Sequence, residues 1–173
     1  TFSMATNVSG DYNTAVGYGT LNQSTVSQNT AVGYEAMLDN TTGDNNTSLG
    51  FRAMTNTTTG ANNTAIGSKA MDAHTTSSNN TAVGYNVLGG QTTGASNTAL
   101  GYNAGNNITT GSQNVCIGNG PNPSAADSQE QIVIGTTTTP GAGDNTVRFG
   151  TDTGTIYIAL DNSTVNWTKS SDE

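Results

Sequence analysis

An aliphatic residue stands immediately before a glycine eight times along this chain, at Val16, Val32, Leu49, Ile66, Val83, Leu100, Ile117 and Ile134. The glycines that follow, from Gly17 to Gly135, are sixteen residues apart once and then seventeen apart six times running. Two residues before each aliphatic position in the first six repeats is a threonine, and between them lies a small residue, as in Thr81-Ala82-Val83-Gly84. Alternate residues of a strand point to opposite faces, so the threonine and aliphatic columns share one face and the small column occupies the other. A strict period of this length predicts a solenoid with one rung per repeat. Thr, Val and Ile at the repeated phrase make the rung a strand, and seventeen residues are too few for a packed helix pair.

Four residues after each of the first five glycines comes Leu21, Met37, Met54, Met71 or Leu88. This column reads as a second buried ladder. TTGDN, TTGAN and TTGAS supply turn chemistry between the segments, so each rung is expected to hold two short strands and two turns. Asn13, Asn29, Asn46, Asn63, Asn80, Asn97 and Asn114 form a further column. Stacked amides there can donate to one neighbouring rung and accept from the other, satisfying a polar turn. The fold class is therefore all-β, a parallel β-roll or β-solenoid with 17-residue rungs.

Composition alters this picture in one respect. Only 32% of residues are apolar and 9% charged, with 22 glycines, a balance that signals disorder in a chain without periodicity. The fixed period overrules that reading but leaves a thin core. One Val and one Leu or Met per rung cannot offset backbone ordering at roughly 1 to 2 kcal/mol per residue. An obligate oligomer follows, in which rolls bury their Ala and Met columns against each other, and a closed homotrimer is the natural arrangement.

A net charge of −8 argues against nucleic acid or anionic membrane as a partner, and Arg52, Lys69, Arg148 and Lys169 look scattered. No apolar run reaches membrane-spanning length, so membrane insertion is not expected. Cys116 takes the place of an alanine and reads as a small buried filler. His74, in AHTTSS, reads as a solvated turn residue; as the only histidine it supplies neither a metal site nor a credible catalytic set. Asp39, Asp44, Asp72 and Asp144 lack the dense GGxGxD pattern of calcium-binding solenoids. Asn7, Asn40, Asn56 and Asn107 begin N-x-S/T triplets that fall out of an Asn- and Thr-rich repeat. No catalytic residue, metal or cofactor is expected, and the chain is not expected to be an enzyme.

The repeat defines residues 1–118 as a shaft. Residues 119–150 loosen it, with Pro121 and Pro123 in a longer excursion, and residues 151–173 form terminal strands, TIYIAL and TVNWT. A solenoid needs a distinct unit over its last rung, and this region is the expected C-terminal β cap. Arg148, Tyr157 and Trp167 break the repeat there and are the expected receptor contacts. Tyr18, Tyr34, Tyr85 and Tyr102, by contrast, are expected to stack as an aromatic ladder.

The NTAVGY phrases with interleaved TTG turns, with QIVIG and NTVRFG, resemble the head repeats of trimeric autotransporter adhesins. They look still more like the longer variant found in bacteriophage tail fibres, over roughly residues 10 to 150. The terminal TKSSDE resembles the opening of the endosialidase-type intramolecular chaperone domain, which commonly reads SSDxRxK. That resemblance implies trimerisation by a downstream chaperone and self-cleavage between Ser171 and Asp172. The chain starts mid-phrase at Thr1 and stops at Glu173, so a fragment is expected. The implied function is a receptor-binding segment of a trimeric tail fibre in the virion, attaching to a host cell-surface glycan or other receptor. The alternative is the head of a bacterial trimeric surface adhesin, on the cell surface. An ice-binding solenoid ranks below both, because threonines sharing parity with the apolar ladder are expected to face inward.

Overall fold

A computed structural model describes residues 10–22, 25–137, 141–151 and 154–159. Ten strands form one sheet in chain order: β1 (Thr14–Val16), β2 (Thr30–Val32), β3 (Thr47–Leu49), β4 (Thr64–Ile66), β5 (Thr81–Tyr85), β6 (Thr98–Tyr102), β7 (Val115–Asn119), β8 (Ile132–Thr136), β9 (Thr146–Thr151) and β10 (Gly154–Ala159). The first nine are parallel, making a β-solenoid of about eight turns. Register follows the repeat: Ala31 pairs with Ser48, Ser48 with Ala65, Ala65 with Ala82, and Ala82 with Ala99. The loosened region keeps this register, Cys116 pairing with Val133 and Val133 with Arg148. β10 then turns back antiparallel to β9, the end of the expected terminal region that lies within the described residues.

The core is the small column of the strands packed against the second segment of each rung. Ala31, Ala65, Ala82 and Cys116 are fully buried, as are Met37, Met54, Met71 and Leu88 and the alanines that precede the methionines, Ala36, Ala53 and Ala70. Ser48 fits the alanine column because its hydroxyl donates to the Ala53 carbonyl at 2.8 Å, tying strand to second segment within one rung. Two expectations change here. The Ala and Met columns are buried inside a single roll, so they are not the surfaces through which rolls would meet.

The second segment is also not a strand. Its residues alternate through the left-handed region, with φ of +54° at Glu35, +51° at Met37, +55° at Arg52 and +54° at Met54. Rungs still bond to each other there, Met37 N–H donating to the Ala53 carbonyl at 3.1 Å and Met54 N–H to the Ala70 carbonyl at 3.0 Å. The backbone ladder thus survives without strand geometry, and the segment curls tightly enough to close a 17-residue turn.

The column glycine is required for two reasons. At Gly84, φ is +129°, and a Cβ would run into the carbonyl oxygen of Gly101 on the next rung. The asparagine column works chiefly through the backbone: the Asn80 Oδ1 accepts from the Asn97 N–H at 2.8 Å, and its Nδ2 donates to the Gly94 carbonyl at 3.2 Å. The same pair of bonds recurs at Asn46, Asn97 and Asn114. Amide-to-amide bonds join only some rungs, as from Asn63 Nδ2 to Asn46 Oδ1 at 3.1 Å. Threonine hydroxyls at Thr41, Thr58, Thr75 and Thr92 each donate to a carbonyl one rung on, which lines the TTG turns with a third ladder.

Candidate functional site on the outward face

With the small column inward, strand alternation sends the threonine, aliphatic and aromatic positions out together. Thr81 and Thr98 are exposed, Val16, Leu49 and Leu100 keep 57, 46 and 47% of their surface, and the aromatic side chains beside them are similarly open. The expectation that the threonine column faces inward is thus corrected. It shares parity with the aliphatic ladder, as expected, but both point away from the core because the alanines permit closer approach of the second segment. The outward face carries three columns side by side, hydroxyl, aliphatic and aromatic, at one of each per rung in β5 and β6.

The aromatic column stacks as expected. Tyr18 and Tyr34 lie with ring centroids 5.3 Å apart and planes inclined by 12°, Tyr34 and Phe51 at 5.4 Å and 13°, and Tyr85 and Tyr102 at 5.4 Å and 12°. Ladder spacing follows strand spacing, so the rings meet face to face with an offset. Next to them runs a charged and polar column. Glu35 pairs with Arg52 at 3.6 Å, and Asn86 Nδ2 donates to Asn103 Oδ1 at 3.0 Å. A hydrogen bond to Glu35, helped by the carboxylate charge, holds the Tyr34 hydroxyl above its ordinary pKa. Arg52 and Lys69 are not scattered in space. They hold equivalent places on consecutive rungs, each bonded through its N–H to the carbonyl of the aromatic position one rung back, Tyr34 at 2.8 Å and Phe51 at 2.9 Å.

Of the expected receptor contacts, Arg148 on β9 and Tyr157 on β10 stand directly opposite each other in the antiparallel pair. Trp167, Ser171 and Asp172 lie outside the described residues, as does Asn7. Reactive groups are sequestered. Cys116 is buried, and burial pushes its thiol up to about 12, which suits the filler role. His74 is fully buried rather than solvated; its Nδ1 lies 3.1 Å from Thr57 Oγ1, in a column where other rungs place Asn40, Gln91 and Ile108. Burial pushes its pKa down to about 4, against a smaller opposing pull from the Ser77 backbone. Among the turn acids, Asp44 and Asp144 each accept a backbone N–H at 2.8 Å, from Ser27 and Gln129. No cluster of three metal-ligating side chains occurs among the described residues.

The outward face can therefore bind, by apolar contact, ring stacking and a few charges, and it assembles no nucleophile with a base. Sequence reasoning singled out the ring-stacking residues but missed the pairing of Arg52 with Lys69, whose signal is their common offset of two from Gly50 and Gly67. No helix among the described residues is long and apolar enough to cross a membrane. Comparison with protein-family models, curated proteins and solved structures finds no match to this chain.

Proposed function

We propose that this chain is a shaft and receptor-binding segment of a homotrimeric phage tail fibre that attaches the virion to a host surface glycan. The observation that carries the reading is the uncovered aliphatic ladder, in register from Val16 to Leu100 and flanked by aromatic rings. A strip of this length exceeds the scattered apolar exposure of a solitary soluble protein and marks an interaction surface. Three rolls around an axis would bury the aliphatic column at the centre, with threonine and tyrosine columns at the rim, the usual anatomy of a stable interface. Eight rungs at about 4.8 Å give a stiff shaft of roughly 35 to 40 Å. The β9–β10 pair would lie towards the tip, with Arg148, Tyr157 and Trp167 as receptor contacts and Ser171–Asp172 as the processing site.

Light scattering of the purified 173-residue chain tests the assembly. A mass near three chains is expected, and Leu100→Asp should shift it to a single chain by placing a charge in the apolar centre. A stable, folded monomer of the unaltered chain sinks the fibre reading. The same repeat serves a bacterial trimeric adhesin equally well; a coiled-coil anchor in the full gene favours the adhesin, and an SSDxRxK continuation favours the fibre. The outward threonine column adds a specific observation for ice binding, since hydroxyl and methyl groups in register form a repeating exposed lattice. Thermal hysteresis by a monomer at micromolar concentration would select that reading.

A further inference from the structure

The aromatic column is interrupted once within its run: Tyr18, Tyr34, Phe51, Ser68, Tyr85, Tyr102. Beneath the interruption the backbone ladder continues. Lys69 N–H donates to the Phe51 carbonyl at 2.9 Å and Asn86 N–H to the Ser68 carbonyl at 3.0 Å. Ser68 is therefore held where a ring would otherwise stand, without any shift of register. Each ring of the column occupies one rung of height, and omitting one leaves Phe51 and Tyr85 two rungs apart, about 9.6 Å.

Tyr34 is stacked on both faces, whereas each of the two walls is stacked on one only. Tyr34 covers one face of Phe51, and Tyr102 covers one face of Tyr85. Their remaining faces look towards the Ser68 rung, and the two side chains stay 47 and 45% exposed. Within each stack a ligand meets ring edges, and beyond Tyr102, beside Asn119, a single face; at this notch it meets two faces opposite each other. The notch is one ring deep in the direction of the solenoid axis. A pyranose chair, thicker than an aromatic ring, suits a gap of this height and presents apolar C–H faces to both walls.

Charge selects the kind of ring. Lys69 follows Ser68 and Arg52 follows Phe51, so two of the four basic residues of a chain with twelve acidic ones flank the notch. Arg52 already pairs with Glu35, whereas Lys69 has no ion pair among the described residues. We infer that the Ser68 notch is a subsite for one pyranose ring of an anionic glycan, stacked between Phe51 and Tyr85 with its carboxylate or sulfate at Lys69. This rests on the glycan-attachment reading above and names the ligand class for it. A nucleobase could stack in the same way, but it is no thicker than the missing aromatic ring and fills the gap less well than a chair, so oligo-dT serves as the competing ligand in the test. The notch lies in the rim column, beside the aliphatic centre, so it stays open when three chains assemble and is repeated three times, which raises avidity.

The test is titration of the 173-residue chain, followed by saturation-transfer NMR, with hexagalacturonate, a chondroitin sulfate hexasaccharide, cellohexaose and oligo-dT. At least one anionic hexasaccharide should bind fivefold or more tighter than cellohexaose, and the better of the two identifies the anionic group. Ser68→Tyr completes the ladder with the residue that other rungs already carry and should weaken binding at least tenfold while the melting temperature holds or rises. Lys69→Gln should weaken it about threefold. Undiminished binding by Ser68→Tyr, equal binding of cellohexaose, or preference for oligo-dT overturns the proposal. A trimer that binds neither anionic hexasaccharide overturns the notch alone; a monomer that binds one through Ser68 overturns the trimeric fibre and leaves the notch standing.

Discussion

The choice between Leu or Met and Val or Ile in this chain follows backbone conformation. Val, Leu and Ile fill the outward strand column, whereas Leu and Met alone fill the column at Leu21, Met37, Met54, Met71 and Leu88, where φ lies between +46° and +55°. Branching at Cβ is poorly tolerated in the left-handed region. Met54→Leu should consequently cost under about 1.5 kcal/mol, while Met54→Ile should cost about 2 kcal/mol more, as read by chemical denaturation. Equal costs would remove this explanation of the column. His74 makes a second residue-scale prediction. Its folded pKa of about 4 lies below the usual 6.5, so the unfolded chain binds the proton first as pH falls. Stability should drop from pH 6.5 down to about 4 and level off below, by roughly 3 kcal/mol per chain in total. His74→Gln, which places there the residue that Gln91 already provides one rung on, should abolish that component of the pH profile.

Each rung is held to the next by four kinds of bond: strand ladder, left-handed ladder, asparagine amide and threonine hydroxyl. The amides are the most exacting, since Asn80 both accepts from Asn97 and Gln91 and donates to the Gly94 carbonyl, all buried. Asn80→Ala strands the buried Asn97 N–H, while the Gly94 carbonyl keeps its bond from Gln91 Nε2, and should cost about 2 kcal/mol. Hydrogen exchange should then show faster opening at the Asn97 amide than at the Asn46 amide, because coupling in a solenoid runs between neighbours. Uniform loss of protection along the roll would instead show that the rungs unfold as one unit. The asparagine column was legible in the sequence because its period matches the glycines. Its wiring was not: whether an amide meets an amide or a backbone group depends on how far the TTG turn folds under the strand, a tertiary distance.

For the whole molecule, the decisive quantity is which face remains uncovered. A single roll already buries the Ala and Met columns and leaves its aliphatic and aromatic columns outside. If the aliphatic column is buried between chains, folding and association are linked, and the thermal midpoint should rise with protein concentration. A tenfold dilution series in calorimetry reads this directly. A midpoint independent of concentration, with the mass of one chain, would show that the thin core suffices and that the exposed strip serves another surface.

Periodicity alone determined the solenoid, its rung length, the parallel register and the buried Leu/Met column, because a repeat of sixteen or seventeen residues stacks equivalent side chains whatever their detailed conformation. Parity alone established that threonine and aliphatic residues share a face. It could not decide which face is inside, since alternation is symmetric about the sheet. Only the tertiary structure resolved that question: the left-handed second segment closes tightly over the small alanine column and puts it inside the roll. The same closure buries His74, and the stacking of rungs sets Arg52 beside Lys69 and turns Ser68 from one substitution in a repeat into a gap between two ring faces. These depend on distances between residues sixteen or more apart, which chain order sets only after the rungs have stacked.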